Sequence, residues 1–382
     1  MLPSETKLIS VDDHVIEHPR VWLDRLPERF KERGPRIVEV DGGRQVWQYE
    51  DEIVPISEGV VRLLPGVDRA GLPGGRVRYD EIRPGCYDPA ARLEDMDIDG
   101  VWASLCFPNF TRFSGHRFLF GKDRELALLC TQAYNDFIVD EWCAADPGRL
   151  IPMAILPLWD VDLAVAEMTR LAPKGVKAVA FSENPTVLGL PSVHTDHWDP
   201  LWAAVQDADL PVCMHIGSSS RLMTSSPDAP PSITVALFGA NSMVAFADWI
   251  FSGIFERFPR LRAVLSEGGA GWIPYMLERC YKSWVIHGDS SGAVRPPADI
   301  YRDHIYACMV TDAFAVDSLQ AIGTDNLMWE SDYPHQDGMF PDSRRVLEKS
   351  LAGVGEGDAV KIGHDNAARV FRLDTAAAGS SA

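Results

Sequence analysis

Short apolar, β-branched runs recur along the chain, at 8–14, 101–107, 150–157, 176–182, 211–217, 262–268, 305–310 and 326–332. Each ends in polar or glycine residues, and most lead into a stretch with helical spacing, such as 123–146, 160–171 and 200–208. Continuous apolar runs imply strands covered on both faces, as a parallel sheet requires. Eight such strands alternating with helices predict an α/β fold of one kind, a closed (β/α)8 TIM barrel.

One interval breaks the alternation. Between the first and second runs, 34–89 is rich in Gly, Pro and Arg and carries two short alternating stretches, 44–49 and 53–56. This predicts a long insertion between strands 1 and 2, a β-hairpin and loop region that covers the barrel mouth or decorates the solvent side. A second excursion, 218–241, follows the fifth run. The chain therefore reads as a single barrel domain over 1–374, with 34–89 inserted in it, and an Ala/Gly/Ser tail at 375–382 that predicts disorder.

Composition narrows the field. A length of 382 residues suits one barrel with insertions. Hydrophobic residues make up 46% and charged residues 24%, an ordinary globular balance. Basic residues number 36 against 55 acidic ones, a formal charge of −19. Such a surface repels phosphate backbones and argues against a nucleic-acid partner, while leaving room for a small anionic substrate in a locally positive pocket. No run of about 18 apolar residues exists, which predicts no membrane span. The opening MLPSETKLIS has no basic stretch before an apolar core, so no secretory signal is expected. The seven cysteines are odd in number, scattered and free of any CxxC, which suits reduced thiols in the cytoplasm.

In a barrel the reactive residues come from the C-terminal ends of several strands. Run one ends Asp12-Asp13-His14, with Asp12 and His14 two apart and so on one side. Run five ends at His215, run six at Glu267, run eight at Asp332 with His335 three residues on. Each has a plain alternative: Asp12 and Asp13 as turn caps, Glu267 as a turn stabiliser before two glycines, His335 as a loop residue, His215 as a hydrogen-bonded rim residue. Together they form an imidazole and carboxylate set without sulfur, and a cluster of carboxylates repels itself unless a cation lies among them.

The stretches VDDHVIEHP at 11–19, ARLEDMDIDGV at 91–101, WDPLWAAVQDADLPVCMHIGSS at 198–219, FERFPRLRAVLSEGGAGWIPYMLER at 255–279 and ESDYPHQDG at 330–338 resemble the ACMSD-like (amidohydrolase 2) branch of the amidohydrolase superfamily. The resemblance implies that Asp12, His14, His215 and Asp332 bind the catalytic metal. Two positions depart from it. Asp12 stands where many relatives have the first His of a His-x-His pair. Glu267 stands where decarboxylases of the branch carry a His that handles the proton.

Counted together, Asp12, His14, His215, Glu267, Asp332 and His335 suit two divalent metal ions roughly 3.5–4 Å apart, iron by preference and zinc or manganese otherwise. The set is similar to that expected of a subgroup of non-haem di-iron monooxygenases of the platensimycin/platencin type. That likeness implies hydroxylation of a carboxylate- or CoA-thioester-bearing small molecule, such as an acyl-CoA, in secondary metabolism. The alternative is a metal-dependent hydrolase of an amide, ester, lactone or thioester, or a non-oxidative decarboxylase, using zinc or manganese. Asp332, Glu267 and His215 are the catalytic candidates throughout. Arg83 and Arg221 are candidate anion contacts, with Arg78 and Arg112 behind them. Trp47 and Phe107 are candidate apolar contacts, alongside Phe110 and Phe113. Asp312, at the end of run seven, is a candidate supporting residue. The Ser218-Ser219-Ser220 run lacks the GxSxG setting of a nucleophile elbow and reads as a polar loop. The resemblance also implies a homodimer.

Overall fold

The computed structural model describes residues 2–56, 78–335 and 337–375. Its barrel strands are β1 (Leu8–Val15), β5 (Val101–Pro108), β6 (Leu150–Ile151), β7 (Met153–Ala154), β8 (Ala178–Ala180), β9 (Pro211–His215), β10 (Arg262–Ser266), β11 (Ile305–Met309) and β12 (Leu327–Trp329). Every pairing among them is parallel. The β6 and β7 segments are one barrel strand interrupted at Pro152, which has no N–H to give to a ladder. Two arcs result, β1-β5-β6 and β12-β11-β10-β9-β8-β7. They meet through that shared strand at one seam. At the other, Asp332 N–H donates to Asp12 O at 2.9 Å and His14 N–H to Tyr333 O at 2.6 Å. The ring is thus closed, and the predicted (β/α)8 TIM barrel is the fold.

The helices start and stop where their sequences say. Asp88, Asp123 and Asp160 each cap a helix by accepting from backbone N–H groups of the first turn. Gly100, at φ 73°, ends Pro89–Asp99 and delivers the chain directly into β5. No helix of the described residues is long and apolar enough to cross a membrane. All seven cysteines are free and buried.

The insertion forms an antiparallel sheet of β2 (Arg36–Val40), β3 (Arg44–Tyr49) and β4 (Glu52–Pro55). The two alternating stretches became β3 and β4, and β2 adds a strand that the pattern did not mark. Trp47 on β3 is buried against Trp22 at 5.4 Å and Phe110 at 4.7 Å between ring centroids, so the sheet is packed onto the barrel. The rest of the predicted loop, 57–77, and the tail from 376 lie outside the described residues.

The β1–β5 register slips by one residue between Ser10 and Asp13. Such a bulge re-aims side chains near functional sites. Here it falls on the stretch that carries Asp12.

Candidate metal centre at the barrel rim

Four strand ends converge. From β1, His14 Nε2 lies 3.6 Å from Asp12 Oδ1. After β12, Asp332 Oδ1 is 3.2 Å from the same His14 Nε2. At the end of β9, His215 Nε2 is 3.5 Å from Asp12 Oδ2 and 3.2 Å from Glu267 Oε2, which follows β10. His335 Nδ1 reaches Asp332 Oδ1 at 3.1 Å, and its ring stacks on His14 at 3.7 Å. Two ligand-type triples form, Asp12/His14/His215 and His14/Asp332/His335.

The hydrogen-bond ledger is the decisive physical observation. Both oxygens of Asp12, both oxygens of Asp332, both nitrogens of His14 and Nε2 of His215 are buried without a hydrogen-bond partner. Buried polar atoms are normally satisfied, because leaving one bare costs on the order of 1–3 kcal/mol. Of these, His14 Nε2, both Asp12 oxygens, Asp332 Oδ1 and His215 Nε2 lie within 3.2–3.6 Å of one another in pairs, and a cation among them would supply the missing partner. His215 shows how its own lone pair is aimed: its Nδ1 sits 2.6 Å from Ile216 O, an acceptor, so Nδ1 carries the proton and Nε2 is free to ligate.

Electrostatics agree. Burial, then Glu330, Asp332 and Glu267, pushes the Asp12 carboxyl up. Burial, then Asp332 and Glu330, does the same to Glu267. Burial and His335 push His14 down, and burial holds His215 down to about 4. Asp332 alone goes the other way: burial raises it, but the imidazoles of His335 and His14 outweigh that and hold it below the usual carboxylate range. The donor set, two carboxylates and two neutral imidazoles, fits a divalent ion of intermediate softness.

Glu267 and Asp332 both adopt left-handed backbone, at φ 60° and 54°. Non-glycine residues hold that conformation at a cost, and such residues collect at functional sites. Gly268, next in the chain, has no room for a Cβ beside Ser242 Oγ, which explains the Ser-Glu-Gly-Gly spelling.

This geometry brings Asp12, His14, His215, Glu267, Asp332 and His335 to one rim. Phe107 is buried at 5.0 Å from the His215 ring, and Phe113 lies at 3.9 Å. Other candidates go elsewhere. Trp47 belongs to the packing under the inserted sheet. Arg83 forks onto Asp95, Nε to Oδ2 at 2.7 Å and Nη2 to Oδ1 at 2.5 Å. Arg78 pairs with Glu39 and Asp80. Arg221 is exposed. Asp312 caps the helix that follows and accepts from Ala270 and Gly271 N–H at 2.9 and 2.7 Å, holding the loop behind Glu267. The strand-end reading passes over Glu330, which is buried and accepts from Glu267 N–H at 3.2 Å. Its signal was available: Glu330 and Asp332 are two apart, the spacing that marked Asp12 and His14.

An amidohydrolase family model matches residues 40–373. The chain belongs to the amidohydrolase family. The matched span holds His215, Glu267, Asp332 and His335, while Asp12 and His14 precede it. The chain is 29% identical over 328 residues to a γ-resorcylate decarboxylase of Rhodococcus jostii (strain RHA1), covering 80% of this chain and 94% of that one. Its fold matches an amidohydrolase of Mycobacterium avium subsp. paratuberculosis K-10 with a TM-score of 0.76 at 24% identity, over 96% and 99% of the two chains. It also matches a 5-carboxyvanillate decarboxylase of Novosphingobium aromaticivorans DSM 12444, solved with manganese, with a TM-score of 0.66 at 17% identity, over 97% of each chain.

These relations overturn the expectation of a di-iron monooxygenase. Relatives aligned along most of the chain are named decarboxylases. In both triples the shared member, His14, faces its carboxylates with the same nitrogen, Nε2. The two triples therefore overlap at His14. The preference for iron falls with that expectation.

Proposed function

We propose that this amidohydrolase is a metal-dependent, non-oxidative decarboxylase of a hydroxylated aromatic carboxylate. The reading takes one divalent ion, manganese or zinc, held by Asp12, His14, His215 and Asp332. The observation that carries it is the set of bare, buried donor atoms at the rim of a chain related along most of its length to enzymes named decarboxylases. A manganese-bound decarboxylase of the same fold supports the choice of metal.

Bound there, a divalent ion supplies Lewis acidity that neutralises the substrate carboxylate. The chain's own groups do the rest. Phe107 and Phe113 exclude water beside the ligands and give an aromatic ring a flat wall. Decarboxylation leaves electron density on the ring carbon that loses CO2, so a proton must be delivered there. Glu267 occupies the strand-six position, and burial with Asp332 and Glu330 as neighbours pushes its carboxyl up, which favours the protonated form. In that form Glu267 does not repel an anionic substrate, and it serves as the acid in place of a histidine.

The test is CO2 release. Protein stripped of metal and reloaded with manganese or zinc is offered 2,6-dihydroxybenzoate, 5-carboxyvanillate and related ortho-hydroxy acids. Metal-dependent release of CO2 without O2 uptake is expected, with Glu267→Gln lowering turnover by roughly 10²-fold or more while metal content holds. Silence on the whole acid panel, with metal-dependent cleavage of esters or amides instead, would overturn the proposal.

A further inference from the structure

The Ser218-Ser219-Ser220 turn after β9 does more than fill a loop. His116 is buried at 2% exposure, and its two ring nitrogens are held by two serines. Ser114 Oγ lies 3.0 Å from His116 Nδ1 and donates its proton to Ser218 O at 3.1 Å. A hydroxyl has one proton, so Ser114 Oγ can only accept from the ring, and Nδ1 must be the protonated nitrogen. Nε2 is therefore the bare one, and the hydroxyl at 2.6 Å from it, Ser220 Oγ, must be its donor.

That chain has the logic of an activated nucleophile: hydroxyl, base within hydrogen-bond reach, third group fixing the tautomer of the base. Ser220 is exposed, so a reagent can reach it, while Ser114 and His116 are shut away. Its backbone is left-handed at φ 63°, a conformation a serine holds only where surrounding structure imposes it. The imposing contacts are visible. Ser220 N–H donates to Gly217 O at 2.9 Å and Ser218 Oγ donates to Glu183, which also accepts from Ser219 Oγ at 2.8 Å and Asn241 Nδ2 at 3.3 Å. None of these side chains is in either metal-ligand triple.

We propose that Ser220 is a nucleophilic serine, activated by His116 and oriented through Ser114, that accepts the acyl group of activated esters. Ser220 Oγ bonds to the acyl carbon as its proton moves to His116 Nε2. The bond to the leaving aryl oxide or thiolate breaks with its electron pair, and that group takes the proton from His116. Water then hydrolyses the acyl-serine to the free acid. Burial, then Arg112 and Arg117, holds the His116 ring down to about 3, so it is neutral but weakly basic. A weak base limits the pair to good leaving groups, which is why aryl esters and thioesters are the class named.

The proposal is independent of the decarboxylase reading, and its test separates the two. The full chain, metal-loaded and metal-stripped, is treated with p-nitrophenyl acetate. Nitrophenolate release is followed, and the acetylated peptide is mapped by mass spectrometry. One acetyl on Ser220 at equal rates with and without metal is expected. Ser220→Ala, an exposed change that leaves the core intact, should abolish it, and His116→Gln should slow it by roughly 10²-fold or more. Ser114→Ala should slow it less. Acetylation spread over lysines, an unchanged rate in Ser220→Ala, or loss of labelling when metal is stripped would each overturn the assignment.

Discussion

Asp12 and Asp13 are neighbours on one strand, both closed off from solvent, and they meet opposite surroundings. Asp13 accepts from Ser10 Oγ at 2.9 Å, Ser331 Oγ at 2.9 Å, Tyr333 N–H at 3.2 Å and the Ser104 hydroxyl. Both oxygens of Asp12 are bare. Burial raises Asp13 to about 6 against the opposing pull of Arg92 and the serines. Around Asp12 the neighbouring charges are carboxylates, and each adds to the rise that burial begins. The lesson is that burial alone does not mark a functional carboxylate. A side chain whose acceptors are all filled is a part of the frame, and one whose acceptors are empty is part of a site.

The largest effects should come from exchanging these two fates. Asp12→Asn is expected to cut metal occupancy and to lower activity by about 10³-fold, the scale of losing several kcal/mol of charge stabilisation. It should also raise the melting temperature of the metal-free protein, because a crowded buried charge is gone. Asp13→Ala should do the reverse: about 3 kcal/mol of stability lost, since three serines and the Tyr333 N–H lose a common acceptor and Arg92 loses a nearby opposite charge, with metal content per folded molecule unchanged. Metal analysis beside thermal melts reads both arms. Equal metal loss in the two variants would erase the distinction.

Glu17 sharpens the comparison from a third position. It is buried, accepts from Asn109, Phe110 and Thr111 N–H at 3.1, 2.7 and 3.2 Å, and carries no bare oxygen. Burial outweighs those bonds and raises it from 4.5 to about 7. A folded pKa above the unfolded one means the native state holds the extra proton between the two values. Stability from this group is therefore full below about pH 4.5 and falls as pH rises to about 7. His116, lowered from 6.5 to about 3, acts with the opposite sign, losing stability as pH falls below 6.5. Glu17→Gln should flatten the Glu17 component, a change of up to about 3 kcal/mol across that window, seen as the difference between variant and parent in urea melts. An unchanged pH profile would show that burial does not raise Glu17.

The strand pattern carried the barrel because parallel strands are covered on both faces and leave continuous apolar runs. It marked eight runs and all eight lie on barrel strands, with β8 and β12 each only three residues of a longer run and the third split at Pro152. The site was legible for a related reason: ligand-type residues stood at strand ends, where the fold brings them together. What stayed hidden depends on three-dimensional pairing. Nothing in Asp12-Asp13 tells which carboxylate faces inward; the β1 bulge and the serines of distant strands decide it. Nothing in the serine run reveals His116, a hundred residues earlier, whose role exists only because the loops after β5 and β9 meet.

The arginines give the smallest and last test. Arg83 was a candidate for binding an anionic substrate, yet its guanidinium is already engaged, with both prongs on Asp95 and its face 5.0 Å from the Phe340 ring. A fork committed to a carboxylate at 6% exposure has little left to offer a ligand. Asp95 keeps a second donor, the Tyr333 hydroxyl at 2.5 Å, so loss of Arg83 does not strand it. Arg83→Met is accordingly expected to cost about 1 kcal/mol or less in stability, the guanidinium being 37% exposed and Asp95 keeping its Tyr333 partner, and to leave KM within about twofold. Arg221 has no ion-pair partner among the described residues and sits in the turn beyond His215, so Arg221→Met should be the variant that moves KM if an arginine meets the substrate. A tenfold rise in KM for Arg83→Met with Arg221→Met silent would reverse that order and show that the Asp95 pair opens when substrate binds.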